Sequence, residues 1–233
     1  MRLWWFKFHR WIALLIAIQL LAWMSSGFFM AFVPIETVKG EHNIREQEPT
    51  DLRALAAIVP PQQVLKQITG SVTRLELAEV LNRPVWRVDV DGKPAAVFSA
   101  LTGQKLPTLD EAWAKQIAIA DFKGEGAPIS ATLIKAEPPI EYRAQLPVWK
   151  ITFNDVDNTN IYVLPASGKV VARRTSTWRV YDFLWSLHIM DYWTRDNFNS
   201  WLLVIAATIG FGLTITGFGL LVFRYGARLL RSK

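Results

Sequence analysis

The chain has 233 residues, of which 51% are hydrophobic, no cysteine, and a formal net charge of +6. The lack of cysteine excludes disulfides, thiolate catalysis, cysteine-ligated iron–sulfur clusters and covalently attached c-type haem. The positive charge is confined to the two ends, which carry seven of the 26 Lys and Arg residues and none of the 20 acids, so the middle has a net charge of about −1. We therefore predict no nucleic-acid partner.

Two uncharged apolar runs, 11–32 and 200–223, lie near the ends of the chain. Each exceeds the roughly 20 residues that a helix needs to cross a bilayer core of about 30 Å. The first run is also longer than the apolar part of a secretory signal peptide, and no A-x-A cleavage pattern follows it, so it is predicted to be an uncleaved anchor. These runs predict a membrane protein with two transmembrane helices.

Basic residues outside the apolar runs predict the orientation of the chain. Short flanks rich in Lys and Arg stay in the cytoplasm, and the flanks here contain Arg2, Lys7, Arg10, Arg224, Arg228, Arg231 and Lys233. We therefore expect both termini in the cytoplasm of a bacterial cell with the chain in its inner membrane. The segment 33–199 is then expected in the periplasm.

The middle segment contains an internal repeat. The sequence PVWRV at 84–88 recurs as PVWKI at 147–151, so Trp86 and Trp149 are expected in equivalent positions. Amphipathic patterns predict one helix before each copy, at 60–69 and 109–122. Alternating apolar residues predict antiparallel strands, which are 72–81, 85–90, 95–99, 129–140, 148–153 and 159–164. A repeat of about 60 residues is only marginally stable alone, so we expect the two to pack together.

Local motifs refine these elements. Asp91-Gly92 is typical of a two-residue hairpin loop. Thr108 and Glu111 have the spacing of a capping box, which predicts that the second helix begins there.

Several motifs resemble those of the PepSY-associated transmembrane family. They are KFHRW at 7–11, SG at 26–27, the two PVW strands with the TG and SG turns that follow them, and DFLWSLHIMDY at 182–192. The resemblance covers nearly the whole chain. It implies an α+β membrane protein in which two transmembrane helices flank a periplasmic domain of two PepSY-like repeats, each a helix plus an antiparallel sheet.

The resulting organisation has eight segments. They are a cytoplasmic basic flank at 1–10, the first transmembrane helix at 11–32, a linker at 33–56, the first repeat at 57–107, the second repeat at 108–177, an interfacial aromatic segment at 178–199, the second transmembrane helix at 200–223 and a cytoplasmic basic tail at 224–233.

The resemblance also bears on function. Some larger relatives with four spans are b-haem proteins or siderophore-iron reductases of the inner membrane. This chain has two spans, so we expect an accessory to membrane or periplasmic electron transfer, including ferric-siderophore reduction, rather than an independent enzyme. Other PepSY modules are inhibitory or interaction modules, and the alternative hypothesis is a non-redox binding or regulatory module anchored in the membrane.

Under the first hypothesis, the resemblance makes His9 and His188 the candidate ligands of haem b. They lie near opposite ends of the spans, and the 22 residues of the first span are about 33 Å long. Both axial ligands of one iron must contact the same metal, so a single chain cannot use this pair for one haem. The second ligand of each haem would come from another chain, in a homodimer or with a partner membrane protein.

Small residues in the spans are candidates for helix packing. Gly210 and Gly212 belong to rows of small residues with a four-residue spacing, which lets helix backbones approach closely. The first span is expected to cover part of this surface, and an additional helix the rest. Gly217 and Gly27 are further packing candidates.

Overall fold

The structure is a computed structural model, and it describes residues 2–46 and 58–229. The chain divides into two compact units, one formed by Met1–Pro34 with Val180–Lys233 and the other by Ile35–Arg179. Part of the predicted linker, the first residue of the first predicted repeat and the end of the predicted basic tail (47–57 and 230–233) lie outside the described residues.

Two long helices dominate the first unit: α1 (Arg2–Phe32) and α6 (Trp201–Leu229). Within them, His9–Phe32 and Trp201–Arg224 are long and apolar enough to cross a membrane, in agreement with the predicted spans. Helix α1 also includes the basic flank, because the first ten residues contain neither Pro nor Gly to interrupt it.

The predicted interfacial aromatic segment contains a helix that we did not predict, α5 (Ser176–Ile189). Its first turn is capped by Thr175, whose Oγ1 accepts a hydrogen bond of 3.2 Å from the amide of Trp178. After the helix ends, the carboxylate of Asp191 accepts hydrogen bonds from the amides of Thr194, Asp196 and Asn197. The hydroxyl of Thr194 also donates to this carboxylate. That hydrogen bond makes the largest contribution to holding the pKa of Asp191 well below its ordinary value, and the amide bonds add to it.

The unit Ile35–Arg179 consists of short helices and two antiparallel sheets. In chain order its remaining elements are α2 (Ile35–Val38), a 3-10 helix (Glu41–Asn43), α3 (Pro61–Leu65), β1 (Val72–Val80), β2 (Arg83–Val90), β3 (Lys93–Ser99), α4 (Glu111–Asp121), β4 (Pro128–Ile134), β5 (Val148–Phe153), β6 (Asn160–Val163) and β7 (Val170–Arg174). We predicted α3 and β4 to be longer, and we did not predict β7.

The first sheet has the order β1-β2-β3 and is joined by two tight hairpins. Asp91 and Gly92 both have positive φ, which confirms the predicted loop between β2 and β3. One face of this sheet packs on α3 through Val64, Val88 and Phe98. The other face contributes to a core that it shares with the second sheet.

The second sheet has the order β4-β5-β6-β7. Helix α4 packs on it through Ala114, Ile117 and Ala118, which face Ile151 and Ile161. Val80, Val85 and Val97 of the first sheet join the same core, so the two sheets pack together as expected. The predicted capping box is wrong at its first residue: Asp110, not Thr108, is the N-cap of α4, and its Oδ1 accepts the amide proton of Trp113 at 3.0 Å.

Trp86 and Trp149 make matching contacts in the two sheets. Each indole donates to the carbonyl of the second residue before a helix: Trp86 to Val59 at 3.2 Å and Trp149 to Leu109 at 3.0 Å. The amides of those two residues donate in turn to Ala100 after β3 and Pro165 after β6. A duplicated unit would give this correspondence, and the duplication itself stays a prediction.

The two tryptophans provide a test of the correspondence. Because both are half-buried and hydrogen-bonded, Trp86→Ala and Trp149→Ala should each lower the free energy of unfolding by about 3 kcal/mol. Chemical denaturation of the detergent-solubilised protein, followed by near-UV circular dichroism, measures this. Val156→Ala is the control, because Val156 is 98% exposed and its loss should cost less than about 0.5 kcal/mol. A near-neutral effect at either tryptophan would contradict equivalent roles.

Candidate functional site

The histidine at the end of α5 contacts a buried serine on α1. His188 Nδ1 lies 3.0 Å from the Oγ of Ser26, and Ser26 is fully buried. The Ser26 hydroxyl also lies 3.1 Å from the carbonyl of Trp23, to which it can donate its only proton, and it then accepts from the imidazole. This arrangement favours the tautomer with the proton on Nδ1, and Nε2 of His188 has no hydrogen-bond partner among the described residues.

Helix α1 makes two further hydrogen bonds to the C-terminal turn of α5. The indole of Trp23 donates to the carbonyl of His188 at 2.8 Å, and the amide of Gln19 donates to the carbonyl of Leu187 at 3.1 Å. The last carbonyls of a helix have no partner within it, and these two side chains satisfy them. The backbone and the ring of His188 are therefore both held by α1.

His188 lines a cavity of about 830 Å³ whose walls are mostly apolar and aromatic. Trp185 lies beside the imidazole, with ring planes 10° apart and centroids separated by 6.4 Å. Gly27 lies close to the same ring, because a Cβ added there would be 4.0 Å from Cε1 of His188. The cavity is also lined by Trp23, Met24, Phe28, Ile189, Phe198 and Leu203.

The second candidate histidine has a similar arrangement at the other end of α1. His9 Nδ1 lies 3.2 Å from Oγ1 of Thr216 on α6, and that hydroxyl donates to the carbonyl of Gly212 at 2.9 Å. Donation to Gly212 favours Thr216 as an acceptor toward Nδ1 of His9, and Nε2 has no hydrogen-bond partner among the described residues. His9 lines an apolar cavity of about 500 Å³ between α1 and α6, and a Cβ on Gly217 would be 3.9 Å from its Cε1.

The structure does not bring the two histidines together. His9 and Gly27, the α1 neighbour of His188, are 18 residues apart on one helix, a separation of about 27 Å. Each cavity is lined by one histidine among the described residues. An imidazole that is oriented through Nδ1 and has an unpartnered Nε2 can bind a metal, so the donor set fits one axial ligand of a haem at each position.

The predicted packing glycines fall into two pairs. Gly27 and Gly217 lie beside the histidines. A Cβ added at Gly210 or Gly212 would meet no described atom within 4 Å outside the adjoining backbone of α6, so the described part of the first span does not cover them. Packing of that surface against an additional helix stays a prediction.

A second polar cluster, which we did not predict, is buried in the unit Ile35–Arg179. Glu141 is 8% exposed, and its Oε1 accepts hydrogen bonds from Tyr162 at 2.7 Å and Asn160 at 2.6 Å. Arg179 donates to Oε2 at 3.0 Å, and Lys150 Nζ lies 3.4 Å from Oε1. The partners of Glu141 come from β5, β6 and α5 and form no sequence motif with it, so no signal in the sequence indicated the cluster.

The environment of Glu141 determines its ionisation. Burial alone would raise its pKa, but the hydrogen bond from Tyr162, the charge of Arg179, the hydrogen bond from Asn160 and the charge of Lys150 together hold the pKa below its ordinary value of 4.5. Burial and the same carboxylate raise the pKa of Tyr162, so its hydroxyl stays protonated and donates. The cluster is therefore a charged carboxylate with its donors in place, which favours a structural role.

The lowered pKa predicts a pH dependence of stability. Because the folded-state pKa of Glu141 lies below its ordinary value, its contribution is complete above about pH 4.5 and is lost as the pH falls through the folded-state pKa. Glu141→Gln should therefore destabilise the protein most near neutral pH, and the difference from wild type should shrink toward pH 3. Denaturation midpoints between pH 3 and 7 measure it. Glu125→Gln, at an exposed position, is the control; a pH-independent Glu141→Gln difference would contradict the assignment.

Comparison with known proteins identifies the family. The chain matches the family model described as "PepSY-associated TM region" over residues 6–232. No curated protein and no solved structure gave a match. The matched range includes both long apolar helices and both sheets. The protein therefore belongs to the PepSY-associated transmembrane family and is a membrane protein anchored by apolar helices.

Proposed function

We propose that the protein is an accessory subunit of membrane electron transfer that binds haem b in the membrane together with a second chain. The observation that carries this proposal is the hydroxyl contact of each candidate histidine. Ser26 and Thr216 lie within hydrogen-bond distance of Nδ1 of His188 and His9. Nε2 of each histidine therefore has no partner among the described residues, and each histidine lines an apolar cavity near one end of α1. The family resemblance points to ferric-siderophore reduction as the reaction served.

The residues of this chain would divide the work of binding. His188 and His9 each supply one nitrogen ligand, and Ser26 and Thr216 fix the tautomer and the ring orientation. The apolar walls exclude water, and they suit a large planar apolar group because cavities of 500 and 830 Å³ lie within the usual size of ligand sites. When bound, haem would supply one-electron exchange.

A second chain is needed because each cavity supplies one histidine among the described residues. A two-fold homodimer with its axis along the membrane normal brings the same residue of both chains together, so it could pair His9 with His9 and His188 with His188. The open surface at Gly210 favours a close helix–helix approach of this kind. The two haem sites, about 27 Å apart, would then lie one near each face of the bilayer.

The visible spectrum of the protein purified in mild detergent tests this proposal. We expect a Soret band with reducible α and β bands, and about one haem per chain by the pyridine haemochrome assay, since a dimer has two sites. His188→Ala should lose about half of the haem, and so should His9→Ala. Ser26→Ala should retain the ligand but shift the reduction potential, and Ser26→Thr should restore it.

His42→Ala is the matched control, because His42 is an exposed histidine of the other unit and should bind no haem. A folded but colourless wild-type protein would overturn the haem proposal. So would an unchanged spectrum in the His9→Ala, His188→Ala double variant. Either result would leave the non-redox binding or regulatory module as the function.

We also propose that both termini are cytoplasmic and that the unit Ile35–Arg179 lies in the periplasm of a bacterial inner membrane, because the basic flanks favour this orientation. The native chain has no cysteine, so single cysteines can report it. Val156→Cys, at a fully exposed turn, should react with a membrane-impermeant maleimide in intact spheroplasts, and Ser232→Cys should not. Both should react after permeabilisation. The reverse pattern in intact spheroplasts would place the unit in the cytoplasm.

A further inference from the structure

A cavity of about 230 Å³ lies within the unit Ile35–Arg179, where the first sheet meets the start of α4. Its lining includes Val80, Val85 and Val97 of the first sheet, together with Leu106 and Leu109 from the segment that leads to α4. These residues belong to the shared core or pack against it. The interior of the cavity is therefore apolar, and its volume of about 230 Å³ is below the ~300 Å³ at which ordinary ligand pockets begin. It suits a short hydrocarbon chain or a single apolar side chain.

One arginine stands at the exposed rim of this cavity. The guanidinium carbon of Arg83 lies 5.0 Å from the ring centroid of Trp113, over its face. Other arginines of the unit are paired with carboxylates, for example Arg173 with Asp121 and Arg179 with Glu141. The side chain of Arg83 makes no hydrogen bond or ion pair with any described residue, so its donors remain available to an anion.

The backbone holds Arg83 at the rim. It follows a two-residue loop in which Leu81 and Asn82 have φ of 51° and 59°. A leucine in the left-handed region is strained, and such strain persists only where surrounding contacts enforce it. Leu81 packs against the shared core, which fixes the loop and therefore the first residue of β2.

Asp110 is the other charged residue that lines the cavity, and its carboxylate is already engaged elsewhere. Asp110 is the N-cap of α4 and accepts the Trp113 amide proton through Oδ1, so its charge is stabilised by the helix N-terminus. The cavity thus combines an apolar interior with one cation whose side chain has no hydrogen-bond partner among the described residues.

We propose that this cavity binds the end of a small apolar molecule that carries one carboxylate, with the hydrocarbon part inside and the carboxylate on Arg83. A free medium-chain acid and the C-terminal residue of an apolar peptide both have this chemistry. The inference concerns the unit Ile35–Arg179 and holds whether or not the membrane helices bind haem.

Isothermal titration calorimetry of the full chain in nanodiscs, with empty nanodiscs subtracted, tests the proposal. The probes are octanoate and N-acetyl-alanyl-leucine, each compared with its neutral counterpart, 1-octanol or N-acetyl-alanyl-leucinamide. At least one carboxylate probe should bind about tenfold or more tightly than its counterpart, because the carboxylate gains a charge-assisted hydrogen bond. The probe that binds identifies the source of the ligand as a free acid or a chain end.

Arg83→Gln should remove this tenfold preference while leaving the weak binding of the neutral probe unchanged. Lys93→Gln is the matched control, because it removes a positive charge from an exposed position of the same sheet outside the cavity, and it should keep the preference. Val97→Phe should fill the cavity and abolish binding of both probes; if that variant does not fold, Arg83→Gln still decides. No binding of either carboxylate up to millimolar concentration, or equal affinity in wild type and Arg83→Gln, would overturn the proposal.

Discussion

In the hydrocarbon region of a bilayer there is no water to hydrogen-bond with polar groups. A polar side chain there must hydrogen-bond to a neighbouring helix, because leaving it without a partner costs free energy. This constraint determines how α1 is used. Its polar side chains Gln19, Trp23 and Ser26 all contact the C-terminal turn of α5, and its histidine contacts Thr216 of α6. The few polar residues of α1 therefore position His188, and Thr216 of α6 positions His9.

The hydroxyls have a further consequence because each can donate only one proton. Ser26 and Thr216 use theirs on backbone carbonyls of their own helices, which is a common arrangement for these residues in apolar helices. A hydroxyl that donates to its own helix can only accept from Nδ1, and the opposite nitrogen is left without a protein partner among the described residues. The same backbone contact that makes Ser and Thr tolerable in a helix thus favours the Nδ1-protonated tautomer of each histidine.

The spans and most strands could be predicted from the sequence because their signals are local. An uncharged run of more than 20 residues, an alternating strand and an Asp91-Gly92 loop each depend on neighbours in the chain. The histidines could be named as candidates, but their hydroxyl partners could not, since Ser26 and His188 are 162 positions apart. Glu141 was missed for the same reason: its partners Asn160, Tyr162 and Arg179 become neighbours only after the second sheet has formed.

The errors in the predicted elements have physical causes. Asp110 replaces Thr108 as the N-cap because a carboxylate at the first turn satisfies an amide and also interacts favourably with the helix dipole. Strand β7 pairs with β6, and its Ala172 packs in a second apolar cluster of this sheet, separate from the shared core. The arginines next to Ala172 obscure the apolar–polar alternation that would have predicted the strand. One of them, Arg173, forms an ion pair with Asp121 at the end of α4. A polar-looking segment can therefore be an integral strand when its charges have partners elsewhere in the fold, and such pairing is visible only in three dimensions.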